Sequence, residues 1–502
     1  MGLDSALFTA TSGLRHVSRQ MAQSSNNIAN AATPGYSVKR VNGEAVAEGG
    51  VRTLAPRRDV DEALRAEART AQGDAAAAGL RDEVLSPLAR IQGAPELGNS
   101  VVDLVGALRD TFTALRATPA DTGAQGAALR TADDLAGRMR DISGSISRAR
   151  QSVQDGIGAD VDRANTLLRE VARLDGRVRA VAASGRSDAD ALDRRDAAVA
   201  SLGNLLELTP VAKPDGGVTL ILRGGSVLPL DPRGSPLSIA AGPVAAETYW
   251  GPSAGTLPGV MLEGTDITAS LKGGRIGAAI ELRDRTLPLV QAELDLTAAT
   301  LARRLDDQGL RLFTDGAATG APPDPTVYAG ATIGFAGRIA LSSAVAADPQ
   351  LLRDGTHASA VTGFTPNPPG GSSGFSQLLD ALIDHGFGTS AVPGGAAYAA
   401  IPSGGLGPGG NLASGFAPPP RITDYAAAAT ASQSAVAAAA AERTMEADGV
   451  RTRLETLLQR REGVDVDQEM AALLQMQNAY AANARVMSAV QSMWDALLGS
   501  VR

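Results

Sequence analysis

The segment SSNNIANAATPGYS, from Ser24 to Ser37, marks the place where an amphipathic helix near the start of the chain has to stop. Upstream of it, apolar residues recur every seven positions in two neighbouring rows. The first row is Leu7, Leu14, Met21 and Ile28, and the second is Leu3, Ala10 and Val17. Such spacing is typical of a helix that packs lengthwise on another helix. Pro34 disfavours helical geometry at the preceding residue and Gly35 permits a turn, so we expect the helix to end near Asn30 or Ala31.

The C-terminal segment repeats this pattern in alternating steps of three and four residues. Its row comprises Leu473, Met476, Tyr480, Asn483, Met487, Val490, Trp494, Leu497 and Val501. Asn483 is the polar member of the row, and a lone buried asparagine between helices often fixes their register at some cost in stability. We expect Asp467 to cap this helix and Glu469 to lie in its first turn, where the helix dipole favours acidic side chains.

Two arrangements are compatible with these rows. Each helix could pack on the core of its own domain, or the two ends of the chain could pair with each other. We favour pairing because it buries both rows at once. Everything between the two helices then becomes an insertion.

Composition limits the classes of protein to which the chain can belong. Its 502 residues predict about two to four structural units, and 44% hydrophobic against 20% charged residues predict folded cores. Aromatic residues make up only 3%, so packing depends on Ala, Leu and Val, which disfavours a deep substrate pocket. The net charge of -8 and the lack of a basic block argue against nucleic acid as a partner.

The absence of cysteine excludes disulfides, thiol catalysis and thiolate metal sites. The first residues, MGLDSALFTATSGLRH, lack the basic and apolar regions of a secretory signal. No apolar run approaches the roughly 20 residues that a membrane helix needs. We therefore expect no membrane insertion, and either a soluble chain or one exported without a cleaved signal peptide.

The middle of the chain predicts an α+β multidomain fold in which the N- and C-terminal helices pair as a coiled-coil core. Val101 to Ala117 and Ala164 to Ala183 have helical periodicity, as does Leu287 to Leu310. LELTPVAKPDGGVTLILRGGSVLPL alternates β-prone runs with turn dipeptides, and Asn42-Gly43 predicts a hairpin turn after the first helix. The predicted domains are an axial core (1–60 with 440–502), a helical domain (61–203 with 271–310 and 423–439), a β-rich insertion (204–270) and a Gly/Pro-rich β or irregular outer domain (311–422).

Several short motifs could indicate catalysis. GGSSG, from Gly370 to Gly374, fits a nucleophile elbow with Asp384 and His385 downstream. An elbow needs a strand before its serine, whereas prolines precede this one, so we interpret it as a flexible linker. The histidines, His16, His357 and His385, lack metal-ligand spacing.

Two acidic segments also allow more than one interpretation. LDRRD, from Leu192 to Asp196, could be a catalytic ion cluster, but we interpret it as an exposed helical segment with paired charges. Asp465 and Asp467 could bind a cation, but the glycines and further ligands of a calcium loop are missing. We predict no catalytic, cofactor or metal site, and hence no enzyme.

The two ends support a resemblance. SNNIANAATPGY, preceded by a heptad helix, resembles the N-terminal signature of the bacterial flagellar axial proteins, which comprise rod, hook and hook-associated proteins. GVDVDQEMAALLQMQNAYAANARVMSAVQSMWDALL, from Gly463 to Leu498, is similar to the C-terminal signature of the hook-associated protein 1 family. Internal segments 191–222 and 273–310 resemble that family too. Asp465 stands where the family usually has an asparagine, and Gln468 where it has an acid.

The resemblance implies an extracellular structural adaptor at the hook-filament junction, exported through the flagellar type III apparatus. It implies a homo-oligomer with hook protein on one side, a second hook-associated protein or flagellin on the other, and an export chaperone before secretion. A hook or distal rod protein, or an axial protein with an enzymatic outer domain, are the alternatives.

The rows and the resemblance together predict an assembly interface at both ends of the chain. Whether its asparagines bond within one subunit or between two is left open. The predicted interface residues are Leu7, Leu14, Met21, Asn26, Asn27, Ile28, Asn30, Pro34, Gly35, Tyr36, Leu473, Met476, Tyr480, Asn483, Met487, Val490, Trp494 and Leu497.

Overall fold

The structure is a computed structural model that describes residues 3–47, 49–93, 98–252, 255–316 and 318–500. Val501, the last member of the predicted C-terminal row, lies outside the described residues. The helices are α1 (Leu3–Ala29), α2 (Glu62–Gln92), α3 (Val101–Ala117), α4 (Thr122–Ala182), α5 (Ala189–Leu205), α6 (Gly274–Glu281), α7 (Leu287–Asp307), α8 (Phe335–Arg338), α9 (Ser343–Ala347), α10 (Leu351–Asp354), α11 (Gln377–Ala381), α12 (Ile422–Glu462) and α13 (Val466–Ser500).

The strands are short and form small antiparallel sheets of two or three strands. They are β1 (Lys39–Arg40), β2 (Gly43–Ala45), β3 (Val51–Thr53), β4 (Arg57–Arg58), β5 (Leu208–Ala212), β6 (Val218–Leu222), β7 (Val227–Leu228), β8 (Leu237–Ser238), β9 (Met261–Leu262), β10 (Thr265–Asp266), β11 (Phe313–Asp315), β12 (Ile339–Leu341), β13 (Gly404–Leu406) and β14 (Leu412–Ala413). The hairpin predicted after Leu206 is confirmed, because β5 pairs with β6 and β6 with β7.

The hairpin after the first helix turns at a different place from the predicted one. Gly43 belongs to β2, which pairs with β3, and β1 pairs with β4. The chain reverses near Gly49 and Gly50, whose φ angles of 93° and 91° suit glycine. Asn42 accepts a backbone hydrogen bond from Leu54 instead of forming the turn.

Helices α3 and α4 show how local sequence forms the main core. Ser100 and Asp103 form a reciprocal capping box that starts α3, and Asp121 caps α4. Both helices bury apolar side chains at steps of three and four residues. The fully buried set includes Val105, Leu108, Phe112 and Leu115 on α3, and Leu135, Met139 and Ile146 on α4.

Helix α7 is buried on nearly all sides, from Leu287 to Asp306. It carries polar residues that the core must satisfy. Asp295 accepts four hydrogen bonds, from the side chains of Gln291 and Tyr328 and from the backbone of Gly334 and Ala336. These bonds join the segment after β11 to helix α7.

Helices α2 and α12 pack side by side. Helix α2 follows the N-terminal segment, and α12 leads into the C-terminal helix α13. Their sequences are rich in alanine, which permits close contact. At Gly73 an added Cβ would lie 2.9 Å from the backbone oxygen of Gly203, so α2 also approaches α5 closely. Helix α12 continues unbroken through residue 440, where we predicted a domain boundary.

A buried carboxyl between α7 and α12 predicts a pH effect on stability. Glu293 accepts a 2.8 Å hydrogen bond from Gln433, and burial raises its pKa to about 7 although that bond lowers it. The folded chain therefore holds the proton more tightly than the unfolded chain, in which glutamate titrates near 4.5. The stability that this proton provides is present below that value and is lost as the pH rises through about 7.

We expect Glu293→Gln to have the parent's melting temperature at pH 5 and a higher one at pH 8, because the neutral amide removes the cost of a buried charge. Circular dichroism melts at the two pH values measure this. Glu442→Gln, at an exposed position of α12, is the matched control and should follow the parent at both. Equal melting temperatures for parent and Glu293→Gln at pH 8 would contradict the effect.

Candidate assembly interface

Helices α1 and α13 pack against each other in antiparallel directions. Near the end of α1, Ser24 and Asn27 contact Glu469 at the start of α13. About three turns before Ser24 on α1, Gly13 faces Asn483, further along α13. The first and last described helices therefore form one unit. We call α1, β1 to β4 and α13 the terminal unit.

The centre of this contact on α1 consists of small residues. Ala10 and Val17 of the second predicted row are 3% and 8% exposed, and Ser24, one heptad after Val17, is 3% exposed, so this side of α1 is the more deeply buried. At Gly13 an added Cβ would lie 3.3 Å from Asn483 Oδ1, which indicates close packing. The large residues of the first row, Leu7, Leu14, Met21 and Ile28, are half-buried and flank the contact.

The apolar face of α13 is wider than the surface that α1 covers. Val490 is buried, whereas Tyr480 and Leu497 are 45% and 50% exposed. At the usual helical rotation, Tyr480 and Leu498 lie on one flank of the contact, and Val486, Met493 and Leu497 lie on the other. The remaining predicted residues are half-buried: Leu473, Met476, Asn483, Met487 and Trp494. Two apolar flanks of α13 thus remain accessible beside the α1 contact.

Asn27 is the polar centre of the terminal unit and is 1% exposed. Its amide donates to Lys39 O and Glu469 Oε1, both at 3.0 Å. Its Oδ1 accepts from Gln23, from the Tyr36 hydroxyl at 2.9 Å and from the Lys39 backbone. Asn27 therefore joins α1 to β1 and to α13 within a single chain.

The other predicted asparagines have different surroundings. Asn26 is exposed, and the Asn30 side chain donates to Asn26 O at 2.9 Å. Asn30 N also bonds Asn26 O, which closes the last turn of α1. These two residues finish the helix and leave Asn26 on the surface.

The turn after α1 brings the chain to the helical domain. Gly35 has a φ of 77°, and an added Cβ would lie 3.3 Å from Ala197 Cβ of α5. Pro34 precedes this tight approach, and Tyr36 then points its hydroxyl back to Asn27. The Lys39 ammonium lies 3.5 Å from the centroid of the Tyr36 ring.

The start of α13 differs from the prediction in one residue. Asp465, not Asp467, caps the helix, because Asp465 Oδ1 accepts from the backbone of Asp467 and Gln468. The acid predicted in the first turn, Glu469, also bonds the side chains of Ser24 and Asn27. Its role in joining the two ends was not foreseen.

The LDRRD segment is not an exposed helix face, so that interpretation was wrong. Asp193 is buried and accepts hydrogen bonds from the backbone and hydroxyl of Ser37 at 3.2 and 2.7 Å. It also pairs with Lys39 Nζ at 2.8 Å and Arg58 at 3.1 Å. Local sequence concealed this role because these partners lie more than a hundred residues earlier in the chain.

These contacts belong to a run of charges that alternate in sign, which we call the ionic chain. In spatial order it comprises Asp190, Lys39, Asp193, Arg58, Asp196, Arg65 and Glu462. Arg58 and Arg65 each approach Asp196 within 2.6 Å. Burial lowers the pKa of Lys39, but hydrogen bonds to Asp193 and Asp190 outweigh it and raise that pKa overall, so the lysine stays charged.

The positions considered for catalysis do not come together. Ser372 of GGSSG lies in the loop between α10 and α11, with no strand before it. His385 bonds Ser390 O, and His357 bonds Thr356. Within the described ranges, no group of His, Asp and Glu could hold a metal ion, and no helix is long and apolar enough to cross a membrane.

Two segments of the chain match known protein families. Residues 95–320 match the helical domain of the flagellar hook-associated protein FlgK. Residues 460–499 match the C-terminal region of the flagellar basal body rod FlgEFG proteins. Residues 95–320 of this chain therefore form a FlgK-type helical domain. The two matches confirm the resemblance seen in the sequence and support a hook-associated structural component of the flagellum.

One solved structure is also similar to part of this chain. It is the flagellar hook junction protein FlgK from Burkholderia pseudomallei, at 21% identity and a TM-score of 0.42. The alignment covers 50% of this chain and 47% of that chain, so it spans about half the length of that relative. No curated protein matches. The match to the FlgK helical domain includes helices α3 to α7.

Proposed function

We propose that this chain is an exported adaptor that joins the flagellar hook to the filament through assembly of its terminal units. The proposal rests on one observation: the apolar face of α13 is wider than the surface that α1 covers. An apolar helix face that one partner covers incompletely gains stability when further helices pack on it. The exposed flanks of α13 supply such a surface in every subunit.

The assembled partners follow from this arrangement. Copies of the same chain present the same flanks, so the terminal units form a ring or tube of homologous helices around an axis. Hook protein packs below this ring, and a second hook-associated protein or flagellin packs above it. In this arrangement, the α1 and α13 pairs form a coiled-coil core, and the domains between them face outward.

Export precedes assembly in this proposal. The chain leaves the cell through the flagellar type III apparatus and reaches the extracellular hook-filament junction. An export chaperone covers the apolar flanks of α13 before secretion, because such flanks would otherwise associate prematurely.

A second candidate is a hook or distal rod protein, and a specific observation favours it: the C-terminal match is to the rod FlgEFG proteins. The helical-domain match distinguishes the candidates, since it names a hook-associated protein.

Deletion of the chain from its own bacterium, followed by electron microscopy, tests the proposal. We expect complete hooks without attached filaments, filament protein released into the medium, and full recovery on complementation. Missing hooks would instead identify a hook or rod protein. Normal filaments on the deletion strain would refute both.

A further inference from the structure

We propose that the ionic chain is a joint that sets the angle between the terminal unit and the helical domain, and that it opens and recloses by parting and re-forming its ion pairs. This inference concerns the connection between the two parts of one subunit. Only its use during assembly depends on the proposed function.

The ionic chain lies where the backbone passes between the two parts. The first passage runs from β4 to α2, and Arg58 and Arg65 lie on its two sides. The second runs from α12 to α13, and Glu462 stands at its start. Glu462 Oε1 accepts from Asp61 N at 2.8 Å, and Glu462 O accepts from Val38 N at 2.8 Å. Both passages are therefore tied to each other and to α5.

The ionic chain is largely buried from Lys39 to Glu462, and Asp190 is its exposed end. The side chains of Lys39 and Asp193 are 3% and 7% exposed, whereas Asp190 at the end is 72% exposed. Asp193 accepts three hydrogen bonds, from the backbone and hydroxyl of Ser37 and from Arg58, and also forms an ion pair with Lys39. Directional bonds of this kind fix the relative orientation of the elements that carry them.

Opening such a joint differs physically from separating α1 and α13. When ion pairs part, water rehydrates both charges and recovers much of their desolvation cost. When apolar helices part, the exposed surface has no such compensation. The subunit therefore combines an apolar contact that favours closure with a polar joint that can pivot, which suits a part that meets different neighbours at its two ends.

The test measures the distance between one label on the terminal unit and one on the helical domain, which changes with the angle between them. The chain has no cysteine, so spin labels can be placed at Ser18→Cys on α1 and Ala159→Cys on α4, both exposed, without other substitutions. Pulsed electron resonance should give a single narrow distance peak for the full chain. Asp193→Asn and Lys39→Met should each lose that peak, because a buried charge then loses one of its partners and the ionic chain is interrupted.

Asp190→Asn is the matched control. It makes the same change as Asp193→Asn at the exposed end of the ionic chain, and the narrow peak should remain. A second label pair, Ser18→Cys with Ser488→Cys, reports on α1 and α13 within the terminal unit and should stay narrow in every variant. Lys39→Met changes a residue of the terminal unit only. It therefore still tests the joint if Asp193→Asn unfolds the helical domain.

Two results would contradict the proposal that the ionic chain is a joint. A narrow α1 to α4 peak in both Asp193→Asn and Lys39→Met would show that other contacts set the angle. Broadening of the second label pair as well would show that the ionic chain supports the helix pair itself.

Discussion

Asn27→Leu is expected to separate α1 from both β1 and α13. The leucine is close to asparagine in size but makes none of the five hydrogen bonds of Asn27. It leaves the backbone groups of Lys39 and the carboxylate of Glu469 without that partner in a buried setting. Each of these three groups left unsatisfied costs about 1 to 3 kcal/mol, so the terminal unit should lose at least about 3 kcal/mol of stability.

Hydrogen exchange of the backbone amides measures this loss, because it reports each helix separately. In Asn27→Leu, we expect α1 and α13 to exchange much faster, with α3, α4 and α7 unchanged. Asn26→Leu is the matched control, since it makes the same substitution at an exposed neighbour and should change stability by at most about 0.5 kcal/mol. Equal exchange in the two variants would show that Asn27 does not hold the terminal unit together.

Met487→Asp is expected to abolish joining of hook to filament while the helical domain remains folded. Met487 is half-buried against α1, and burying a large apolar side chain contributes about 1.5 to 3 kcal/mol. An aspartate loses that contribution and brings an unpaired charge into the contact, which adds a further cost. In an assembly of many copies the penalty recurs in each subunit.

Complementation of the deletion strain, scored by swimming and by electron microscopy, measures the effect. Circular dichroism of the purified variant checks that its helices persist. Met445→Asp, on an exposed site of α12, makes the same change outside the terminal unit and should restore swimming. Normal junctions formed by Met487→Asp would exclude α13 from the assembly contact.

The ends of the elements were the most predictable part of the fold. α1 ends at Ala29, beside the predicted Asn30, because Pro34 and Gly35 act locally. The rotation of α1 was not predictable, since either apolar row could have faced a partner. The small residues Ala10 and Ser24 lie at the centre because they allow close approach, which the hydrophobic pattern alone does not reveal.

The polar parts of the site were harder to predict for a related reason. Asn26 and Asn27 are neighbours of identical chemistry, and only the position of β1 decides which one is buried. Asp193 and Glu462 have ordinary helical surroundings in the sequence, and their partners come from distant segments. One signal was available, because LDRRD places two aspartates on one helical face, three residues apart.

The side-by-side course of α2 and α12 has a consequence for how the molecule reaches its final form. α1 must find a partner that lies nearly a whole chain length away, and closing so long a loop carries a large entropic cost. Once the helical domain has folded, however, Asp61 and Glu462 are already in contact, so the two ends emerge from adjacent points. The search then involves only short tethers. The helical domain thus acts as a template that brings the ends of the chain together, and we expect the terminal unit to be the last part to fold.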